Sequence, residues 1–194
     1  MTRNEILDLF RGSSALLEGH FRLSSGLHSP GYLQCALVLQ HPPHAAALGA
    51  ALAGRVAALA PTAVLSPALG GVIIGHEVAR ALGVRALFAE REGAALTLRR
   101  GFTLSAGDRV VIVEDVVTTG GSTKETMAVA QAAGAEVVAA TAIIDRSAGR
   151  AALDVPLHAL VDLALPTFAP EACPLCGQGV PLTKPGSRPA SPAP

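Results

Sequence analysis

Tryptophan is missing from this 194-residue chain, tyrosine occurs once and phenylalanine five times. With aromatics at 3% and hydrophobic residues at 50%, a core has to be built from alanine, valine and leucine. No apolar run approaches the ~18 residues of a membrane-spanning helix, and the opening Met-Thr-Arg-Asn-Glu is not a signal peptide. A soluble, cytoplasmic protein with no membrane partner is expected. Charge of one sign is not in excess either: 15 Lys and Arg balance 15 Asp and Glu, with no run of like charges. That excludes the basic footprint of a nucleic-acid binder, so any anion site has to be made locally. Cysteine is scarce, and three residues cannot form a disulfide framework. Cys35 stands alone. Cys173-Pro174-Leu175-Cys176 has the spacing of half a zinc site, but no second pair exists and His158 is the only histidine near it in sequence. It is read as a structural turn of the tail rather than as a metal or redox site.

What is present concentrates between Val110 and Thr123. Val110-Val111-Ile112-Val113 reads as a strand buried on both faces, because parallel strands covered by helices lose polar alternation. Two acids, Glu114 and Asp115, follow it, then Val116, Val117, Thr118, Thr119, Gly120, Gly121, Ser122 and Thr123, and then Lys124 to Ala133 with the composition of a helix. The glycines let backbone approach a ligand, the hydroxyls add donors, and the helix N-terminus behind them offers unpaired N–H groups to a phosphate. At the carboxyl end of the strand, Glu114 and Asp115 suit the vicinal hydroxyls of a sugar or a magnesium ion. Together these parts describe a holder for a ribose 5-phosphate. Gly-x-Gly-x-x-Gly is absent, and the loop lacks the Gly-x-x-x-x-Gly-Lys spacing of a nucleoside triphosphatase.

The remainder frames that stretch as one domain, long enough to bury roughly 70% of its unfolded surface. An amphipathic helix is expected over Asn4 to Glu18 with Asn4 as cap, then a hairpin or a pair of short strands between Phe21 and Leu39, forming a small hood over residues 1–40. A helix starts at Pro42 and runs on through Ala60. Ala63-Val64-Leu65 is a short strand, followed by a Gly70-Gly71 loop and a helix from Val72 to Leu82; the loop is a second anion cradle or a plain tight connection. His76-Glu77 lacks the second histidine of a metalloprotease helix, since position 80 is Arg. Arg85 to Ala89 makes a strand, and Glu90 to Gly101, with Arg91, Arg99 and Arg100, reads as a solvated hairpin or a mobile arginine-bearing flap. Strands at Glu136 to Ile144 and Leu157 to Leu163 complete a parallel α/β sheet with ligands at its carboxyl edge, where Arg146 also lies. The phosphate-sugar domain is expected over 1–166, and 167–194 is a Pro, Gly and Ser rich tail, disordered from Lys184 on.

The Glu114 to Thr123 stretch resembles the phosphoribosyl pyrophosphate (PRPP) signature of the type I phosphoribosyltransferases. Two further features are similar to the orotate branch of that family: Gly19-His20-Phe21-Arg22-Leu23-Ser24-Ser25-Gly26-Leu27-His28-Ser29, and an arginine ending the strand after the signature helix, here Arg146. The resemblance covers about Leu16 to Leu163 and implies a type I parallel sheet flanked by helices, with an N-terminal hood. It implies transfer of a phosphoribosyl group from PRPP to orotate, with Mg2+ as cofactor and a homodimer as assembly. By resemblance, Thr118 to Ser122 hold the 5'-phosphate, Glu114 and Asp115 hold the ribose hydroxyls and act in catalysis with Arg91 of the flap, and Thr118 and Arg146 contact orotate. The family's flap lysines and histidine are replaced by Arg91, Arg99 and Arg100, its hood lysine by Ser24, and the lysine of its pyrophosphate loop by Gly70. A phosphoribosyltransferase for a purine or for uracil would share the central motif, without a reason for a carboxylate-reading arginine. A PRPP-sensing regulator that binds nucleic acid would need a basic face, which the chain lacks.

Overall fold

A computed structural model describes residues 1–23 and 25–185; the expectations for Ser24 and for disorder over 186–194 lie outside the described residues. The chain opens with α1 (Arg3–Gly12), capped by Thr2, whose hydroxyl accepts from Glu5 N while the Glu5 carboxylate accepts from Thr2 N in return. The cap lies two residues before the expected Asn4. The helix also stops early: Gly12-Ser13-Ser14 turns the chain, and Ser13 Oγ donates to Leu9 O. Leu16 and Leu17 therefore belong not to a helix but to β1 (Leu16–Arg22), which pairs antiparallel with β2 (His28–Leu33) as the expected hood hairpin. The apolar run after Tyr32 divides, because Cys35–Leu39 closes into a short helix, α2. Next come α3 (Pro42–Val56), β3 (Ala63–Pro67) and α4 (Gly70–Leu82).

The strands β4 (Arg85–Glu92), β5 (Ala95–Leu98), β6 (Arg109–Val117), β7 (Glu136–Asp145) and β8 (Leu157–Asp162) complete a six-stranded sheet in the order β5-β4-β3-β6-β7-β8. Every pairing is parallel except β4 with β5, the expected arginine-bearing hairpin. The helix α5 (Gly121–Ala132) joins β6 to β7.

Strand alternation sorts the core into two halves. Val111, Val113 and Val64 pack in a cluster with Leu48 and Leu52 of α3 and Ile74 and Val78 of α4; Val110, Ile112, Ala63 and Leu65 pack with Met127 and Ala130 of α5. In β3 and β6 these aliphatic side chains are fully buried, which suits a central parallel sheet covered on both faces. A core short of aromatics achieves this by close backbone approach. At Gly49 of α3, a Cβ would lie 2.5 Å from Glu77 Cβ and 2.8 Å from the Glu77 carbonyl carbon, so the α3–α4 contact depends on its absence.

Beyond β8 the tail folds back on the hood. It holds a short helix, α6 (Pro174–Gly177), and reaches both edges of the hairpin. Phe168 exchanges backbone hydrogen bonds with His28, both 2.8 Å; Thr183 N donates to His20 O at 2.8 Å, and Arg22 N donates to Thr183 O at 2.9 Å. Among the described residues no helix is long and apolar enough to cross a membrane.

Candidate active site

A parallel sheet brings the carboxyl ends of neighbouring strands together, and here β6 and β7 end in register, Val117 beside Asp145. Arg146 follows directly, its N–H donating to Val117 O at 2.8 Å, so the arginine is tied to the backbone that begins the Thr118–Gly120 loop. Gly120 ends that loop at φ +78°, and a Cβ there would also press on Ala151 at 3.2 Å. It caps α5 without a side-chain hydrogen bond, leaving the first amides of a 12-residue helix available to an anion.

The two acids diverge. The expectation placed Glu114 and Asp115 after the strand, but β6 continues through both and through Val117. Because side chains alternate along a strand, adjacent acids face opposite sides of the sheet. Glu114 goes with Val110 and Ile112 to the α5 side, where its buried Oε1 accepts from Ser122 Oγ at 2.6 Å and from Thr123 Oγ1 at 3.3 Å. Asp115 goes with Val111 and Val113 to the α4 side, against Gly70, where a Cβ would stand 2.8 Å from Asp115 Oδ2. Val116 N donates to Asp115 Oδ1 at 2.8 Å, but burial outweighs that bond and raises the Asp115 pKa from its ordinary value.

On this side a cavity of about 1160 Å3 opens between hood, sheet edge and tail. Tyr32, Gly70, Asp115, Thr118, Thr119 and Arg146 contribute to its wall. Both glycine loops meet there, so the Gly70 turn is part of the site and not a plain connection. Arg146 is the unusual member. Its Nε is buried with no hydrogen-bond partner, and desolvation lowers its pKa. Asp145, its neighbour in sequence, accepts from Ser147 N at 2.7 Å. Among the described residues Arg146 makes no ion pair. A guanidinium partly withdrawn from water, with a donor to spare, is set for an anionic, planar ligand.

Other members of the wall carried no sequence signal. Arg150 and Lys184 line the cavity; the first looks like one more loop arginine, and the second lies in a segment whose composition reads as a loose tail. Of the expected loop residues, Val116, Thr118 and Thr119 line the cavity, whereas Val117 and Gly120 are buried and Ser122 serves Glu114. The flap arginines lie elsewhere. Arg91 Nη2 donates to Glu125 of α5 at 2.7 Å, Arg99 stands 3.9 Å from Glu92, and Arg100 pairs with Glu90 while covering the Phe88 ring at 5.9 Å. None of the three lines the cavity.

The parallel sheet with its glycine loop suits the phosphoribosyltransferase class, and the family model for the phosphoribosyl transferase domain matches residues 37–158. An orotate phosphoribosyltransferase from Pelotomaculum thermopropionicum is 52% identical over 188 residues, 97% of this chain and 99% of that one. Another, from Heliobacterium modesticaldum, is 52% identical over 97% of this chain and 100% of its own length. The crystal structure of orotate phosphoribosyltransferase from Aeropyrum pernix superposes with a TM-score of 0.70 at 27% identity, covering 81% of this chain and 93% of that one. Within the class, this chain belongs to the orotate phosphoribosyltransferase family.

Proposed function

We infer that this chain transfers the 5-phosphoribosyl group of PRPP to orotate, releasing pyrophosphate and giving orotidine 5'-monophosphate for pyrimidine synthesis. The observation that carries the choice of base is Arg146: a half-buried guanidinium with a buried, unpartnered Nε on the cavity wall fits the carboxylate of orotate, which adenine, hypoxanthine and uracil lack. The 5'-phosphate is assigned to the Thr118–Ser122 turn and the amides that open α5, and the ribose hydroxyls to Asp115. Glu114 holds the loop in shape through Ser122 and Thr123.

In the reaction the bond from the ribose anomeric carbon to the pyrophosphate oxygen breaks, and N1 of orotate, giving up its proton to the released pyrophosphate or to water, bonds to that carbon. Positive charge develops on the sugar between the two events. Asp115, desolvated and aimed at the cavity, is suited to stabilise it electrostatically. Arg150 and Lys184 supply cations on the wall for the phosphates. Arg91, Arg99 and Arg100 join them if the β4–β5 hairpin closes over the site, which requires each to leave its present glutamate. Closure would also exclude water, the competing acceptor.

Magnesium fits the donor set. The cavity wall offers no His or Cys, only oxygen ligands led by the Asp115 carboxylate, and a hard cation that keeps its waters takes one or two carboxylates plus substrate phosphates. Bound with PRPP, the ion would neutralise charge on the departing pyrophosphate. A homodimer in the cytoplasm completes the reading, and light scattering on the eluted protein tests the assembly. The activity is tested by supplying PRPP and Mg2+ with orotate, adenine, hypoxanthine and uracil in parallel. Consumption of orotate alone is expected; turnover of another base in its place would move the chain to a different branch.

A further inference from the structure

The hood and the tail meet in a cluster that has no part in the chemistry above. His20 of β1, His28 of β2, and Cys173 and Cys176 around α6 bring one ligand atom each to a common point, all four within 4.8 Å of one another. Cys173 and Cys176 are free thiols, 153 residues and more from His20 in sequence. We propose that these four side chains form a tetrahedral zinc site that clasps the tail onto the hood hairpin.

The edge lengths of the cluster support this. Zinc at about 2.3 Å from sulfur and 2.0–2.1 Å from nitrogen, at tetrahedral angles, separates its ligands by about 3.3 Å for N···N and 3.6 Å for N···S. The distances here are 2.9 Å for His20 Nε2 to His28 Nδ1, 3.4 Å for Cys173 Sγ to His20 Nε2, and 3.7 and 3.3 Å from Cys176 Sγ to His20 Nε2 and His28 Nδ1. These four edges need to shift by no more than a few tenths of an ångström, while the widest separation in the cluster, up to 4.8 Å, has to contract as the ion draws Cys173 in.

The surroundings match a structural site. His20 Nδ1 lies 2.8 Å from Val180 O; a proton donated to that carbonyl leaves the Nε2 lone pair facing the cluster, the usual outer-shell support of a metal-bound imidazole. His20, His28 and Cys173 are buried, and four protein ligands close the coordination sphere, leaving no open position for a substrate. Two thiolates with two imidazoles select zinc over magnesium or calcium. The C-x-x-C pair needs no second pair, because the hairpin supplies the other half. On either side of the cluster the Phe168 and Thr183 backbone bonds run along the two hairpin edges, so a metal there locks a segment held otherwise by few bonds.

The test uses the full chain, purified without a metal-affinity tag and under reducing conditions. Mass spectrometric metal analysis is expected to find about one zinc per chain, and cobalt exchanged into the site to show thiolate charge-transfer and tetrahedral absorption bands. Cys176→Ser, at the exposed corner, and His28→Ala are each expected to lose the metal. Removing zinc with a chelator is expected to speed amide exchange at Arg22 and Thr183 by roughly tenfold or more while the β6 amides stay protected. Wild-type protein that holds no zinc after reduction and reloading, or a Cys173–Cys176 disulfide that persists in its place, would overturn the site. Zinc bound with exchange at Arg22 and Thr183 unchanged on its removal would overturn the clasp. No readout involves orotate or PRPP, so the result stands apart from the assignment of the active site.

Discussion

Arg146→Ala isolates the contact that selects orotate. In the ligand-free protein this guanidinium gives up water without a carboxylate in return: Nε is buried and unpaired, and burial lowers the pKa. The folded protein already bears that desolvation cost, so an orotate carboxylate arriving there gains most of the charge-assisted interaction. A hydrogen bond to a charged group contributes about 1.5–3 kcal/mol, which corresponds to a loss of roughly 10- to 150-fold in orotate affinity on truncation. Because Arg146 lies off the Thr118–Gly121 turn, PRPP affinity is expected to change little. The assay follows orotate consumption at saturating PRPP, then the reverse titration, with orotate Kd measured calorimetrically. Arg146→Lys is expected to fall between wild type and alanine, since an ammonium retains charge and loses the planar fork. Folding gives an independent check: removing a half-buried cation with no ion-pair partner leaves nothing uncompensated, so Tm is expected to hold or rise. An unchanged KM for orotate, or equal losses for both substrates, would refute carboxylate recognition at this position.

Asp115→Asn is expected to lower kcat by about a hundredfold or more, the scale of one preorganised electrostatic contact. Its ligand-free stability moves the other way. The folded-state pKa of Asp115 is raised, so between its unfolded and folded values the native state holds more protons, and stability falls as pH rises through that window. Above that window the penalty is present in full, and the amide is expected to remove it and raise Tm there; wild-type turnover in the variant, or a lower Tm, would contradict the placement. Gly49→Ala tests the helix packing: its methyl would overlap Glu77 at 2.5 Å, and overpacking of about 1–3 kcal/mol outweighs the roughly 1 kcal/mol that alanine gains in helix propensity. An unfolding midpoint equal to wild type would show that α3 and α4 separate freely.

Local patterns carried the sheet. The aliphatic run at Val110–Val113 and the glycine turn before α5 marked β6 and its loop, because buried parallel strands and helix starts leave signatures within about ten residues. The features that local pattern does not settle depend on direction or distance. Glu114 and Asp115 look equivalent as neighbours, yet carrying the strand period two residues further sends one to Ser122 and the other to Gly70. Asn4 is of a capping residue type, yet Glu5 completes a capping box with Thr2 two residues earlier. Arg91 and its neighbours fit a flap by charge, but pairing with Glu125, Glu92 and Glu90 is set by the hairpin's tertiary position. The zinc ligands were all visible as residue types; their convergence follows from the tail's return, which no local pattern encodes.

That return bears on where the cations of the active site come from. The resemblance to the family assigns a lysine to the pyrophosphate loop, where this chain has Gly70, and a Cβ at that position would meet the Asp115 carboxylate at 2.8 Å. A longer side chain could enter only if the carboxylate or the loop shifted. The wall of the cavity regains positive charge from segments outside the central motif, Arg150 after β7 and Lys184 from the tail. Lys184 directly follows Thr183, whose backbone is bonded to both His20 and Arg22. Although none of its four side chains lines the cavity, a metal that clasps the tail would also hold Lys184 at the cavity wall, and Lys184→Ala is the variant that separates the two effects.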